Sequence, residues 1–242
     1  MVAGERRLRI LSRLVGSTAS DLSTKRLCEV SAEVTGMSGA GIMLMAGDLP
    51  RGSLCTSNDI SALIEDLQYA LGEGPCVDAF ARDRAVLEPD LADPRTPRWL
   101  AFAGPALDAG VRAIFGFPLR VGAVRLGALN LYRDRSGPLS DDEHADALVM
   151  ADVSAQAVLV LQADAPAGAL AAALVAGAEL HYVVHQAAGM VAAQLDTSVT
   201  DALIRLRAHA FGNDLPLTDV AKAVVARRLR FSDLPDNEDP GP

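Results

Sequence analysis

The chain has 242 residues, 50% of them hydrophobic and only 4% aromatic, enough for two ordinary domains with cores built mainly from Ala, Val and Leu. Its net charge of −9 excludes general electrostatic attraction to nucleic acid or to an anionic membrane. Charge is uneven, however: between Ala167 and Ser232 six basic residues stand against five acidic ones, so a nucleic-acid site there must be local and dependent on shape.

Leu8, Leu11, Leu14 and Val15 recur at helical spacing, and a second helix runs from Leu22 to Val34 and stops at Gly36. Gly39–Met45 and Gly52–Thr56 read as a hairpin about the turn Gly47–Pro50. A helix over Asp59–Ala70 ends at Gly72, and Gly74-Pro75 forces a turn. Ala85–Glu88 is a short strand, Asp90–Pro97 a loop, and Arg98–Ala109 a helix stopped by Gly110. Val111–Arg120 and Val124–Arg133 are two strands whose Gly116, Pro118 and Gly127 suggest bends and a sheet edge. Ser140 and Glu143 form a capping box for a helix that runs to about Gln162. This alternation predicts an α+β domain: one antiparallel sheet with flanking helices.

Pro166 and Gly168 mark a boundary, after which no strand signal remains. Ala169–Leu195 reads as one long helix. Leu170, Leu174, Gly177, His181, Val184, Ala188, Val191 and Leu195 follow coiled-coil spacing, and Leu180, Val183, Ala187 and Met190 mark a second apolar face. Two apolar faces call for two partners, one of them a second copy of the chain, so a homodimer is expected. Ser198 caps a further helix that ends at Gly212, and Pro216 opens a third with its stripe at Leu217, Val220, Ala221, Val224 and Val225. The acidic, proline-rich residues after 233 are expected to be disordered. The expected domains are 1–165, 166–232 and a tail, 233–242.

Two segments resemble a known family pair. His185-Gln186-Ala187-Ala188-Gly189-Met190-Val191, then Ala202-Leu203 with Leu206-Arg207-Ala208 and Ala210, then Leu217-Thr218-Asp219-Val220-Ala221 resemble, in order, the three helices of the ANTAR domain. Upstream, Leu71-Gly72-Glu73-Gly74-Pro75-Cys76-Val77-Asp78-Ala79 resembles the corresponding segment of GAF domains fused to ANTAR domains. Asp90-Leu91-Ala92, Arg98-Trp99, Gly110-Val111-Arg112 and Leu126–Tyr132 are similar to the same group. The resemblance implies an α+β GAF sensory domain followed by an all-α three-helix ANTAR bundle with a long, coiled-coil-like first helix. It implies transcription antitermination through binding of structured RNA hairpins by a homodimer. The small-molecule ligand of the GAF domain, if it has one, is left unnamed, and no cofactor is assigned.

For RNA contact the resemblance and side-chain chemistry single out Gln186, Ala187, Gly189, Arg207, Lys222 and Arg227. Gln186 can donate to and accept from a base edge, and small residues leave room for a splayed base. Arg205 and Arg207, two apart on a helix, cannot share one face. Many ANTAR domains carry a basic residue where this chain has Ala188, so one electrostatic contact is expected to be missing. A GAF pocket would draw on Cys76, Asp78, Asp90, Trp99, Phe115 and Asn130, beside irregular loops where small-ligand sites form. The alternative is a filled core, with Trp99 closing it.

The four histidines lack triad partners, and GxSxG, HExxH and Walker patterns are missing, so no enzyme activity and no metal site are expected. Cys28, Cys55 and Cys76 lie far apart without CxxC spacing, which predicts a reducing, cytoplasmic setting and three separate buried hydrophobes. The basic N-terminus interrupts its apolar residues too often for a signal peptide. The competing function is a ligand-sensing GAF adaptor whose helices only dimerise or dock a partner protein.

Overall fold

The computed structural model describes residues 3–14, 24–46, 49–93, 95, 98–164, 179–213 and 215–233. The chain divides into two compact units, 1–177 and 178–242. The expected boundary at 165, the seam residues from Leu170 to Gly177 and the acidic tail after 233 lie outside the described residues.

In the first unit the helices are α1 (Ala3–Leu14), α2 (Thr24–Thr35), α3 (Asp59–Leu71), α4 (Pro75–Arg82), α5 (Leu100–Asp108) and α6 (Asp141–Asp164). The strands are β1 (Gly39–Ala46), β2 (Leu49–Thr56), β3 (Val86–Glu88), β4 (Ala113–Val121) and β5 (Val124–Arg133). They form one five-stranded sheet, ordered β2-β1-β5-β4-β3, with every pairing antiparallel. The edge lies elsewhere than expected: β5 is central and β4 is flanked on both sides. Gly127 marks close approach, since a Cβ there would strike the Met43 carbonyl of β1.

Side chains alternate across a strand, so the sheet has two cores. On one face Ile42, Leu44, Phe115, Phe117, Leu129 and Leu131 pack with Ile10, Leu27, Cys28, Met150 and Val158 of α1, α2 and α6. On the other, Ile114, Ala128 and Tyr132 pack with Ile64, Cys76, Ala79, Trp99, Phe102 and Ala106 of α3, α4, α5 and the segment before α5. Helix α6 is long and apolar enough to cross a membrane by length and composition. Its buried Ala147, Met150, Ala151, Ser154, Ala155 and Val158 instead make it a core helix of this layer.

Local signals set the helix ends. Ser140 donates its N–H to the Glu143 carboxylate at 2.7 Å and Glu143 its N–H to Ser140 Oγ at 3.2 Å, a capping box before α6. Asn58 accepts the Ser61 N–H at 2.9 Å before α3. Arg6 and Arg9 of α1 both reach Asp146 of α6, at 2.8 and 2.6 Å, and so clamp the two helices together.

Two cysteine readings are corrected. Cys28 of α2 and Cys55 of β2 form a disulfide, 27 residues apart in sequence. Tertiary packing of α2 on the β2 side brings them together, which spacing does not reveal. Only Cys76 stays a free buried thiol.

The second unit holds α7 (Glu179–Leu195), α8 (Val199–Gly212), α9 (Leu217–Val225) and a short 3-10 turn, Phe231–Asp233. Ser198 accepts the Asp201 N–H at 3.1 Å and caps α8. Gly212 still belongs to α8, and Asn213 closes it. On α7, Val184, Ala187, Ala188, Val191 and Ala192 are buried at i, i+3, i+4, i+7 and i+8, a single core-facing stripe. Of the expected dimer seam, Val184, Ala188 and Val191 are therefore buried together with Ala187 of the second face, while Leu195 is half-buried. One stripe serves both sets of residues, because neighbouring heptad faces merge when two helices flank a third.

Candidate functional site

The site grows from the turn between α3 and α4, where each residue of Gly72–Cys76 has a separate job. Gly72, at φ 68°, caps α3 and returns its N–H to the Gln68 carbonyl at 2.9 Å, a left-handed position that glycine adopts without strain. Glu73 crosses to the start of α5 and accepts the N–H groups of Ala101 and Phe102, at 2.7 and 2.9 Å. The Ala101 N–H would otherwise be an unpaired donor of the first turn, while the Phe102 N–H is shared with the Trp99 carbonyl at 3.0 Å. Gly74, at φ 134°, lies against Gln68, where a Cβ would overlap that side chain. Pro75 opens α4 at a position where its missing N–H costs nothing. Cys76 then donates its backbone N–H to Gln68 Oε1 at 2.8 Å.

Beneath this turn lies a buried polar cluster: Glu65 and Gln68 of α3, Cys76 of α4 and Asn130 of β5. Their exposures are 1%, 0%, 0% and 3%. Asn130 Nδ2 donates to Glu65 Oε1 at 3.3 Å. Among the described residues, Glu65 Oε2, Gln68 Nε2 and Asn130 Oδ1 have no hydrogen-bond partner. Asn130 stands opposite Gly41 of β1 and Gly116 of β4. A Cβ on Gly41 would come within 2.6 Å of Glu65 Oε1, and one on Gly116 would strike the Pro75 carbonyl. These glycines let α3 and α4 settle onto the sheet and seal the cluster.

Sealing fixes the protonation. Burial pushes the Glu65 carboxyl up to about 8; the Asn130 bond opposes this and Asp66 adds to it. At neutral pH Glu65 is thus an uncharged acid. Burial first, and the neighbouring Glu65 second, push the Cys76 thiol well above its ordinary value. Cys76 is a neutral packing group rather than a thiolate nucleophile.

Asp78, Trp99 and Arg98 form a charged rim. Asp78 pairs with Arg82 and Arg98 at 3.1 and 3.2 Å and accepts the Trp99 Nε1–H at 3.3 Å. Arg98 also reaches Glu88 at 3.5 Å and lies 4.3 Å above the Trp99 ring. Trp99 is buried and meets Phe102 edge-on at 6.1 Å. Its φ of 52° is a strained choice for a tryptophan, held in place by the packing and the Asp78 bond. Asp90 shapes its own loop by accepting from Ala92 N–H and Ser136 Oγ–H, at 3.3 and 3.1 Å.

The structure thus brings Cys76 and Asn130 into one cluster, places Asp78 and Trp99 at its rim and leaves Asp90 in a separate loop. Phe115 is a correction. It packs with Leu129 and Leu131 on the opposite face, because Gly116, one residue on, is the one paired with Asn130. Glu65 and Gln68 were not anticipated. Their signal was position, since Ser61, Ile64, Glu65, Gln68 and Tyr69 share one helical stripe whatever their polarity.

In the second unit Gln186 and Gly189 are exposed on α7. Ala187 is fully buried and has no surface to offer RNA, a second correction that follows from its place on the core stripe. Ala188 is equally buried, so no surface contact is lost there. Arg207 is half-buried, and Arg205 is exposed. Lys222 is exposed, with Asp219 at 3.6 Å. Arg227 is exposed just beyond α9 at φ 57°.

A family model described as the GAF domain matches residues 24–162, more than half of the chain. No curated protein matches the sequence. Among solved structures, the GAF domain of a phosphoenolpyruvate-protein phosphotransferase from Coxiella burnetii is 13% identical with TM-score 0.50, covering 66% of this chain and 95% of its own. The corresponding domain from Acinetobacter is 12% identical with TM-score 0.50 and the same 66% and 95% coverage. The phycocyanobilin-bound GAF domain of a cyanobacterial phytochrome is 17% identical with TM-score 0.46, covering 65% and 94%. At such identities the likeness speaks to the fold alone. By the match over 24–162, and with the two-cored antiparallel sheet that those residues build, the chain belongs to the GAF domain family.

Proposed function

We propose that this chain is a sensory regulator in which a GAF domain governs an RNA-binding, ANTAR-like output unit acting in transcription antitermination. A GAF domain is typical of sensory signalling proteins. For the output, one observation carries the reading: in the motif His185–Val191 the small residues Ala187 and Ala188 form core, while Gln186 and Gly189 stand open on α7. A bundle thereby offers an amide donor–acceptor beside bare backbone, a combination suited to an unstacked loop base. Exposed Lys222, Arg205 and Arg227 supply a few phosphate contacts. Binding should therefore depend weakly on salt, with a slope of about 0.7–0.9 for each contact made.

The test is fluorescence anisotropy of the full chain with a structured hairpin and a loop-scrambled control. Wild type should prefer the hairpin, and Gln186→Ala should reduce that preference while leaving the scrambled control unchanged. Equal affinity for both RNAs would refute the reading. A second reading, docking of a partner protein, is favoured by the exposed stripe Ile204, Phe211 and Leu215 on and just after α8, at 54%, 67% and 49% exposure. It predicts that no RNA is bound and that Phe211→Ser changes only protein association.

A further inference from the structure

The Cys28–Cys55 disulfide lies beside a solvent-facing groove. Cys28, on α2, is fully buried, whereas Cys55 retains 8% exposure on β2, an edge strand of the sheet. Cys55 lines a groove of about 360 Å³ together with Lys25, Thr56, Ser57, Asp59 and Ala62. Lys25 lies three residues before Cys28 on α2, and side chains at that spacing share a helix face. Its side chain is 71% exposed and pairs with Glu29 at 3.9 Å. The ammonium of Lys25 and the carboxylate of Asp59 thus line the same groove as Cys55. A nearby cation favours a thiolate, and an incoming thiolate would meet Lys25 in the groove.

We propose that Cys28–Cys55 is a thiol-exchange site, entered through this groove and attacked at Cys55 by small thiolates or by the dithiol of a reductase. An incoming thiolate donates its electron pair to Cys55 Sγ and forms a mixed disulfide. The Cys28–Cys55 bond breaks, and its electron pair leaves on Cys28 as a thiolate, which takes a proton from water. A second thiolate of the reductant attacks the reductant's own sulfur in the mixed disulfide and expels Cys55 as a thiolate, which is protonated in turn. Cys28 and Cys55 gain two electrons and two protons, and the dithiol becomes a disulfide. The product loses the covalent link between α2 and the sheet edge.

The experiment treats the full-length oxidised protein with reduced glutathione or dithiothreitol, quenches with an alkylating agent, and locates the modified cysteines by peptide mass. The expected rate is linear in thiol concentration and unchanged by low, non-denaturing urea, with glutathione captured on Cys55. Lys25→Gln should slow exchange by about threefold, the effect of roughly one unit of thiolate stabilisation, and Lys25→Arg should restore it. Three results overturn the proposal. The rate could saturate with thiol and climb steeply with urea, so that exchange waits for unfolding. Glutathione could be captured on Cys28. Or Cys28 and Cys55 could be alkylated as free thiols before any reductant is added. None of these depends on whether the second unit binds RNA.

Discussion

Replacing Glu65 by Gln should remove a pH dependence of stability that the native chain carries. The Glu65 carboxyl is raised from 4.5 to about 8 in the fold, so between those values the native state holds a proton that the unfolded chain has released. Folding is then opposed increasingly as pH rises, at about 1.4 kcal/mol per pH unit. This group's contribution is fully present below about pH 4.5, shrinks through neutrality and levels off above about pH 8. From pH 5 to pH 7 the wild type should lose about 2–3 kcal/mol relative to Glu65→Gln. Gln keeps the shape of a protonated Glu, and its carbonyl still accepts the Asn130 Nδ2–H, so the two proteins should be nearly equal at pH 5. The assay is urea unfolding followed by the fluorescence of Trp99, the single tryptophan, which reports on the first unit. If wild type and Glu65→Gln keep a constant stability difference from pH 5 to pH 8, Glu65 is ionised or hydrated, and the sealed-cluster argument is wrong.

Glu73→Ala removes both acceptor bonds at the start of α5 and should cost about 1–2 kcal/mol, read by the same Trp99 fluorescence. Ala188→Lys, which restores the basic residue common in ANTAR domains, should unfold the bundle or lower its melting temperature rather than strengthen RNA binding, because Ala188 has no exposed surface. Circular dichroism melting and anisotropy on the same sample check both halves of that statement. Cys28→Ser should lower stability by about 3–4 kcal/mol relative to the oxidised wild type, the loop-closure value for a 27-residue separation, and by much less relative to the reduced wild type. Urea midpoints with and without reductant measure the difference.

The elements were largely legible because helix and strand periods, caps and glycine stops are local signals. Helix α4 was not: Gly74-Pro75 reads as a turn, yet proline at the first helical position starts a helix as readily as it breaks one. The sheet's centre was read as its edge, because Gly116 and Gly127 weaken a strand in isolation, and only the neighbouring backbone shows why no side chain fits. Cys76 and Asn130 were singled out through the family motif, and the fold brings them into one buried cluster. Glu65 and Gln68 were hidden by their polarity, since a stripe search that counts only apolar residues skips them. The mistake at Phe115 is one of register: a step of one residue along a strand moves a side chain to the other core, and register is a long-range property. Cys28 and Cys55 belong to the same class, as a 27-residue separation says nothing about contact.

The same register ties the two chemically distinctive places together. Across β1 and β2, Gly41 faces Thr56 and Ile42 faces Cys55, while on the other side of β1 Gly41 faces Asn130. The disulfide joins the core shared by Ile42 and Cys28, and Glu65 leans on the bare backbone of Gly41 from the opposite core. One step along β1 therefore separates a bond that answers to thiols from a carboxyl that answers to pH, with the thickness of the sheet between them. Lacking a side chain, Gly41 gives Glu65 nothing to yield against except the strand itself. Close-packed interiors shift as units rather than give way atom by atom.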